Sequence, residues 1–209
     1  MDRRTAGITG GALVVAAVLL GVLVTLVPVM SAPDSGWHDL MVGLRAPWMI
    51  DAALFFNWIG GGWRAVLLVP LGFAAVLLVL RRRMEALFAL TAFALSAGLV
   101  QVIKHIAGRA RPEDLLVPSD FGSFPSGHTA NAATIALVLW LIAPRVWVAV
   151  LGTLWTLAMA LSRTILSVHW LTDTIGGMLV GAGAPLLVAA LLWGWLRWDR
   201  RPPQAELAA

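Results

Sequence analysis

The feature that most constrains this chain is a succession of uncharged apolar runs, each about as long as a bilayer is thick. The first, from about Ile8 to Val29, carries no charged residue. A helix of about 20 apolar residues crosses the hydrocarbon layer. Further runs extend from about Trp63 to Leu80, Met84 to Ile103, His128 to Ala143, Val146 to Leu161 and Thr174 to Leu196. The first run exceeds the apolar core of about 7–15 residues in a cleavable signal peptide, so a retained span is expected. The 209 residues are 60% hydrophobic and only 12% charged, whereas soluble domains average about 25% charged. Such a chain cannot cover itself with polar surface, and its mean hydropathy of +0.86 places it in lipid. The expectation is an all-α, integral membrane bundle of six transmembrane helices. Residues 1–209 form one domain, without internal repeat or linker.

Charge placement then gives an orientation. A net charge of +4 and a pI near 11.2 would suggest nucleic acid for a soluble protein. Here the cations fall mostly at the ends of apolar runs, so nucleic acid is not an expected partner. Six spans put both termini on one side, together with Arg3, Arg4, Arg81, Arg82, Arg83, Arg145, Arg197, Arg200 and Arg201. The positive-inside rule makes that side cytoplasmic. Arg45, Arg64, Lys104, Arg109, Arg111 and Arg163 fall on the opposite face and break the rule. Something other than topology holds most of them there. Residues 31–63 are interrupted by Pro33, Asp34, Gly36, Asp39, Pro47 and Asp51 and are not expected to span. Trp37, Met41, Leu44 and Trp48 recur at helical spacing in this segment. It reads as an interfacial helical segment or as a loop packed on the bundle. The absence of cysteine removes disulfide and thiol chemistry.

Three segments meet on the outer face. Lys104, the only lysine, precedes Arg111-Pro112 by six intervening residues. Gly108 and Pro112 suggest that the chain has left the helix before Arg111. Pro125-Ser126-Gly127-His128 opens the fourth run, with Ser126 as an N-cap and Gly127 allowing backbone N–H groups close to a ligand. A helix N-terminus of this kind accepts phosphate. Ser162-Arg163 is followed by His169 and Asp173, whose spacing puts the last two on one face of a helix. Arg163, six residues before His169, would not share that face, so a bend between spans five and six is expected. Each segment also has a bland reading: snorkelling bases, turn-and-cap chemistry, or half a metal site. Around these histidines, however, three or more cations repel a metal and attract an oxyanion, so no metal or cofactor is expected.

Together the three segments resemble the motifs of the type 2 phosphatidic acid phosphatase family, which shares its fold with vanadium haloperoxidases and bacterial acid phosphatases. The family pattern Lys-x6-Arg-Pro, Pro-Ser-Gly-His and Ser-Arg-x5-His-x3-Asp is met at Lys104–Pro112, Pro125–His128 and Ser162–Asp173. The motif core therefore runs from about residue 104 to 173, and the N-terminal third carries no family motif.

The resemblance implies a lipid phosphate phosphatase with its site at the outer leaflet. His169 would be the nucleophile, forming a phosphohistidine, and Asp173 would orient it. His128 would protonate the leaving group and then activate water. Lys104, Arg111, Arg163, Ser126 and Gly127 would hold the phosphoryl oxygens. A polyprenyl diphosphate, phosphatidylglycerol phosphate and phosphatidate are all compatible substrates. A phosphotransferase using the same site, and an anion transporter built on the basic cluster, are the alternatives. His38 and His105 match no motif position and are read as structural or interfacial; Arg109 is a possible substrate contact.

Overall fold

The computed structural model describes residues 1–27, 32–61 and 63–196. Their regular structure is helical: α1 (Arg3–Leu26), α2 (Ala32–Leu44), α3 (Pro47–Gly60), α4 (Val69–Val79), α5 (Arg83–Ala107), α6 (Gly127–Ile142), α7 (Val146–Ile165) and α8 (Leu171–Leu191). A π-helical turn, Arg64–Leu68, leads into α4. The expected end of the first span at Val29 and the basic tail with Arg197, Arg200 and Arg201 lie outside the described residues.

Four helices, α1, α5, α7 and α8, are long and apolar enough to cross a membrane singly. The expected second span is not a separate helix. It continues from α3, and the pair has the length and apolarity of one span bent by 52°. The break and the π turn that follows it have separate local causes. Gly60 and Gly61 end α3, and Pro70 has no N–H to give the carbonyl one helical turn earlier. The chain widens instead, with the Val69 N–H donating to the Arg64 carbonyl in a π turn. The fourth run forms α6, an apolar helix of 16 residues. At 1.5 Å per residue it is about 24 Å long, against about 30 Å of hydrocarbon. Of the six expected spans, four helices and the bent pair have the length and apolarity to cross a membrane, and α6 falls short of that length.

α8 is the central helix and packs on α1, α2, α5, α6 and α7. Its small residues allow this, because backbones in lipid attract one another only through close packing and hydrogen bonds. A Cβ placed on Gly181 would collide with the Ala130 carbonyl oxygen of α6. On Gly183 it would come within 2.9 Å of the Gly10 carbonyl of α1. Where the backbones meet, the Thr134 hydroxyl lies 2.8 Å from Ser96 Oγ and 3.1 Å from the Gly181 carbonyl. One hydroxyl thereby ties α5, α6 and α8 in an otherwise apolar layer.

The two ends of the bundle differ in chemistry. Arg82, Glu85, Leu141, Pro144 and Leu196 line one recess, which gathers the α4–α5 and α6–α7 junctions beside the end of α8. Arg3 donates to the Ala190 carbonyl at 3.2 Å and brings the start of α1 to the same end. The loop 108–126 and the α7–α8 connection occupy the other end, where α2 contacts α7 and α8.

The packing generates a test. Gly181→Ala should lower the thermal unfolding midpoint in detergent, with about 1–3 kcal/mol of overpacking. Gly11→Ala, where a Cβ meets nothing within 4 Å, should leave the midpoint unchanged or raise it. Equal midpoints for the two variants would refute the close α6–α8 approach.

Candidate active site

Lys104 stands on the last turn of α5, and the helix ends at Gly108 with a left-handed φ of 55°. Glycine adopts that cap without a Cβ penalty. The chain leaves the helix there, so Arg111 comes from the loop rather than from a face shared with Lys104. Gly122, also left-handed at φ 70°, folds the loop back so tightly that a Cβ would sit 2.9 Å from Lys104 Cγ. Asp120 on this loop accepts from Lys104 Nζ at 3.3 Å and from Arg111 at 2.6 Å, its side chain 66% exposed.

α7 ends at Ile165 and α8 starts at Leu171, so the expected bend is present and His169 lies within it. The shared helix face expected for His169 and Asp173 is therefore corrected: only Asp173 is helical. They meet because Asp173 is the third residue of α8 and folds back over its N-terminus. Its Oδ2 accepts from the Trp170 N–H at 2.8 Å and lies 3.5 Å from His169 Nδ1, longer than a formed hydrogen bond. On the other side of the ring, Arg111 lies 3.3 Å from Nε2 and also donates to the Val168 carbonyl. A guanidinium only donates. Nε2 must therefore offer a lone pair, and the ring proton belongs on Nδ1, facing Asp173.

The connection is held from outside. Ser167 is left-handed at φ 53°, a conformation costing roughly 1–2 kcal/mol for an L-residue. Its hydroxyl donates to Asp114 at 2.9 Å and accepts from Arg45 of the α2–α3 region. His38 Nε2 lies 3.1 Å from the same Asp114, a structural place for this histidine. His105 faces outward, its Nδ1 2.8 Å from the Gln101 carbonyl and its ring near Phe121.

A cavity of about 230 Å³ is lined by Asn57, Lys104, Gly127, His128, Arg163 and His169 together with loop residues 117–120. Arg163 is only 1% exposed. It donates to Asn57 Oδ1 at 2.7 Å, to the Ala53 carbonyl at 3.3 Å and to Ser162 Oγ at 3.1 Å. Among the described residues no carboxylate forms an ion pair with it. Buried charges are ordinarily paired, so a lone guanidinium on a cavity wall marks a place for an anion. Among the described residues no group of three or more His, Cys, Asp or Glu gathers in a metal-holding arrangement.

Two candidate residues, one inside a motif and one not, stand elsewhere than expected. Ser126 is fully buried and does not line the cavity. Its hydroxyl accepts from Thr129 Oγ1 at 3.1 Å and its N–H donates to the Asp173 carbonyl at 2.9 Å, which binds the start of α6 to α8. Arg109, expected as a possible substrate contact, is turned away towards Asp34, Thr172 and Asp173.

The N-terminal third, without any motif, supplies a wall of the site. Asn57 supports Arg163, and a Cβ on Gly61 would come within 2.8 Å of His128 Nε2. The available signal was a lone amide in the apolar stretch Pro47–Gly60, because polar residues inside apolar helices are costly.

Residues 85–200, more than half of the chain, match the family model described as the PAP2 superfamily. The chain belongs to the PAP2 superfamily. It is 31% identical to an undecaprenyl-diphosphatase of Sulfolobus acidocaldarius over 52% of this chain and 56% of that one. The chain thus spans little more than half the length of that relative. It is 28% identical to phosphatidylglycerophosphatase B of Bacillus subtilis over 73% of this chain and 79% of the relative. The fold matches the crystal structure of a transmembrane PAP2-type phosphatidylglycerolphosphate phosphatase from Bacillus subtilis. The TM-score is 0.79 at 23% identity, covering 91% of this chain and 99% of that one. This PAP2 member therefore has the membrane form of the fold.

Burial pushes the His169 imidazole from the ordinary 6.5 down to about 4, with Arg111 and Lys104 adding to the shift and Asp173 opposing it. In the unfolded chain the ring would take a proton through pH ~6.5; in the folded protein it stays neutral to about 4. This residue's contribution to stability is thus complete above ~6.5 and is lost as pH falls towards 4. Histidine NMR with His169→Ala for assignment should find the His169 resonances unchanged from pH 8 to 5. A midpoint near 6.5 would contradict the burial of this ring.

Proposed function

We propose that this protein is an integral-membrane phosphatase that hydrolyses a lipid phosphomonoester or diphosphate through a phosphohistidine, without metal. The observation that carries the reading is the juxtaposition on one cavity of His169, His128, Lys104 and a buried Arg163 lacking a carboxylate partner. Phosphoryl transfer needs a nucleophile on one side of phosphorus, an acid on the other, and fixed positive charge around the equatorial oxygens.

In the proposed cycle, the lone pair on His169 Nε2 attacks phosphorus while the bond to the leaving oxygen breaks. His128 gives that oxygen a proton. The proton on His169 Nδ1 stays facing Asp173, whose charge stabilises the cationic ring. His128 then takes a proton from water, the water oxygen attacks phosphorus, and the P–N bond breaks to release inorganic phosphate. Lys104, Arg111, Arg163 and the Gly127 N–H would hold the transferring oxygens, displacing Asp120 from the two loop-side cations. Ser126, from its buried position, would act by fixing the start of α6.

A lipid substrate is favoured by what adjoins the cavity. An apolar cleft of about 460 Å³ shares Val100, Gln101, Gly127 and His128 with it and runs between α4 and α5 along Ala65, Leu71 and Phe93. A headgroup at His169 thus continues into an apolar space at membrane depth. The names of the relatives, an undecaprenyl-diphosphatase and a phosphatidylglycerophosphatase, point to polyprenyl diphosphate or phosphatidylglycerol phosphate. In membrane terms, six crossings put the Arg3, Arg82 and Arg145 end in the cytoplasm and the cavity on the extracytoplasmic side.

Two experiments test this reading. The purified protein should release inorganic phosphate from a lipid phosphate panel with EDTA present. His169→Ala should fall to background, and Arg163→Ala should lose about 10²–10³ in kcat. Activity abolished by EDTA, or kept by His169→Ala, would overturn the mechanism. The chain has no cysteine, so orientation is readable by single replacements. Ser119→Cys should react with an impermeant maleimide in intact cells and Arg145→Cys should not; the reverse pattern would invert the topology.

A further inference from the structure

Asp34, on the first turn of α2, is 1% exposed and belongs to no motif. Its Oδ2 accepts from Arg109 and from the Thr172 hydroxyl, both at 2.6 Å, and its Oδ1 accepts from the Thr172 N–H at 2.9 Å. The other terminal nitrogen of Arg109 donates to Asp173 Oδ1 at 2.6 Å and to Thr172 Oγ1 at 2.8 Å. Asp173 in turn presents Oδ2 to His169. A carboxylate, a guanidinium, a second carboxylate and an imidazole therefore stand in line, the carboxylates and the imidazole buried and Arg109 partly so.

We propose that Asp34 and Arg109 are positioning residues for the histidine nucleophile: Arg109 fixes the Asp173 carboxylate, and Asp34 keeps Arg109 from neutralising it. The inference rests on the phosphatase reading above. Its physical basis is charge. Asp34, Arg109 and Asp173 sum to one negative charge, carried on the residue that faces His169. The other groups around His169 are Lys104 of α5, Arg111 and Asp120 of the loop, His128 of α6 and Arg163 of α7. Asp120 is already engaged by Lys104 and Arg111. Asp173 is thus the carboxylate left to stabilise the ring when it becomes cationic. An Arg109 without Asp34 would cancel that charge at 2.6 Å.

Anchoring α2 on α8 does not need this arrangement, since the two Thr172 bonds to Asp34 already provide it. Arg109 instead uses both ends of its planar fork on two different carboxylates, a geometry that lysine cannot reproduce. Outer partners of this kind hold a reacting group in one tautomer and orientation.

The test separates charge from scaffolding. Asp34→Asn keeps the shape of the side chain but leaves Arg109 unopposed. It should lower kcat by about 10–100-fold with KM within about twofold. Adding Arg109→Gln restores one net negative charge at Asp173 and should recover kcat at least about tenfold over Asp34→Asn alone. A double variant no better than the single one, at equal thermal midpoints, would assign Asp34 a purely structural role and overturn the proposal. If Asp34→Asn does not fold, Asp34→Glu and Arg109→Lys replace it, since both keep their charges and displace the contacts. The proposal then requires a lowered kcat at unchanged KM in each, and wild-type kcat in both overturns it. A readout without substrate keeps this apart from the phosphatase reading. Nitrogen NMR of His169 at pH 7 should report the Nδ1–H tautomer in wild type, mixed tautomers in Asp34→Asn, and Nδ1–H again in the double variant. If no lipid phosphate is hydrolysed, the function fails while the tautomer result still decides the inference; an unchanged tautomer in Asp34→Asn overturns it.

Discussion

The Asp173 carboxylate is the interaction on which the rest of the site depends. It caps the start of α8 through the Trp170 N–H, grips Arg109, and faces Nδ1 of His169. The first of these sets where α8 begins and so how the α7–α8 connection turns. The last sets which nitrogen of His169 faces the cavity. The Asp173 carbonyl also receives the Ser126 N–H, so the start of α6, with His128, is indexed to the same residue. A fully buried carboxylate is costly unless its lone pairs are occupied; here donors occupy both oxygens.

Around that anchor the cavity is built with an excess of positive charge. Asp120 meets Lys104 and Arg111 from an exposed loop position, whereas Arg163 has only neutral acceptors. In water such a cluster would be screened and weak. At the end of a helical bundle, with a low dielectric on its flanks, its field on an anion is screened far less. The same burial keeps the His169 ring neutral, with its pKa down at about 4. The strength of the positive field and the neutrality of the His169 ring thus share one cause.

Much of this is legible in the amino-acid sequence. The apolar runs gave the helices, because length and hydropathy are local properties. Gly108 and Pro112 gave the end of α5 short of Arg111 for equally local reasons. The three motifs place the histidines and cations at helix ends, which alternating crossings would leave on one side. The bend over the pocket followed from the spacing of Arg163 and His169. Less legible was the helix–turn boundary at His169: the four-residue spacing also fits a residue preceding the helix whose third position reaches back. The π turn before Pro70 was hidden as well, because residues 47–80 read as two segments rather than one bent helix pair.

By itself the sequence determined the membrane class, the helical content and the set of candidate site side chains. Each depends on composition and on residues near one another in the chain. The tertiary structure alone decided what Asp34, Asn57 and Arg109 touch, and that Ser126, capping α6 as its sequence position suggests, is buried against α8 rather than on the cavity. It also decided that an apolar cleft opens beside His128. Asp34 meets Thr172 across 138 residues and Asn57 meets Arg163 across 106. Contacts at such separation depend on how each helix is rotated against its neighbours. That rotation is set by close backbone approaches such as Gly181 on Ala130, which hydrophobic periodicity does not encode.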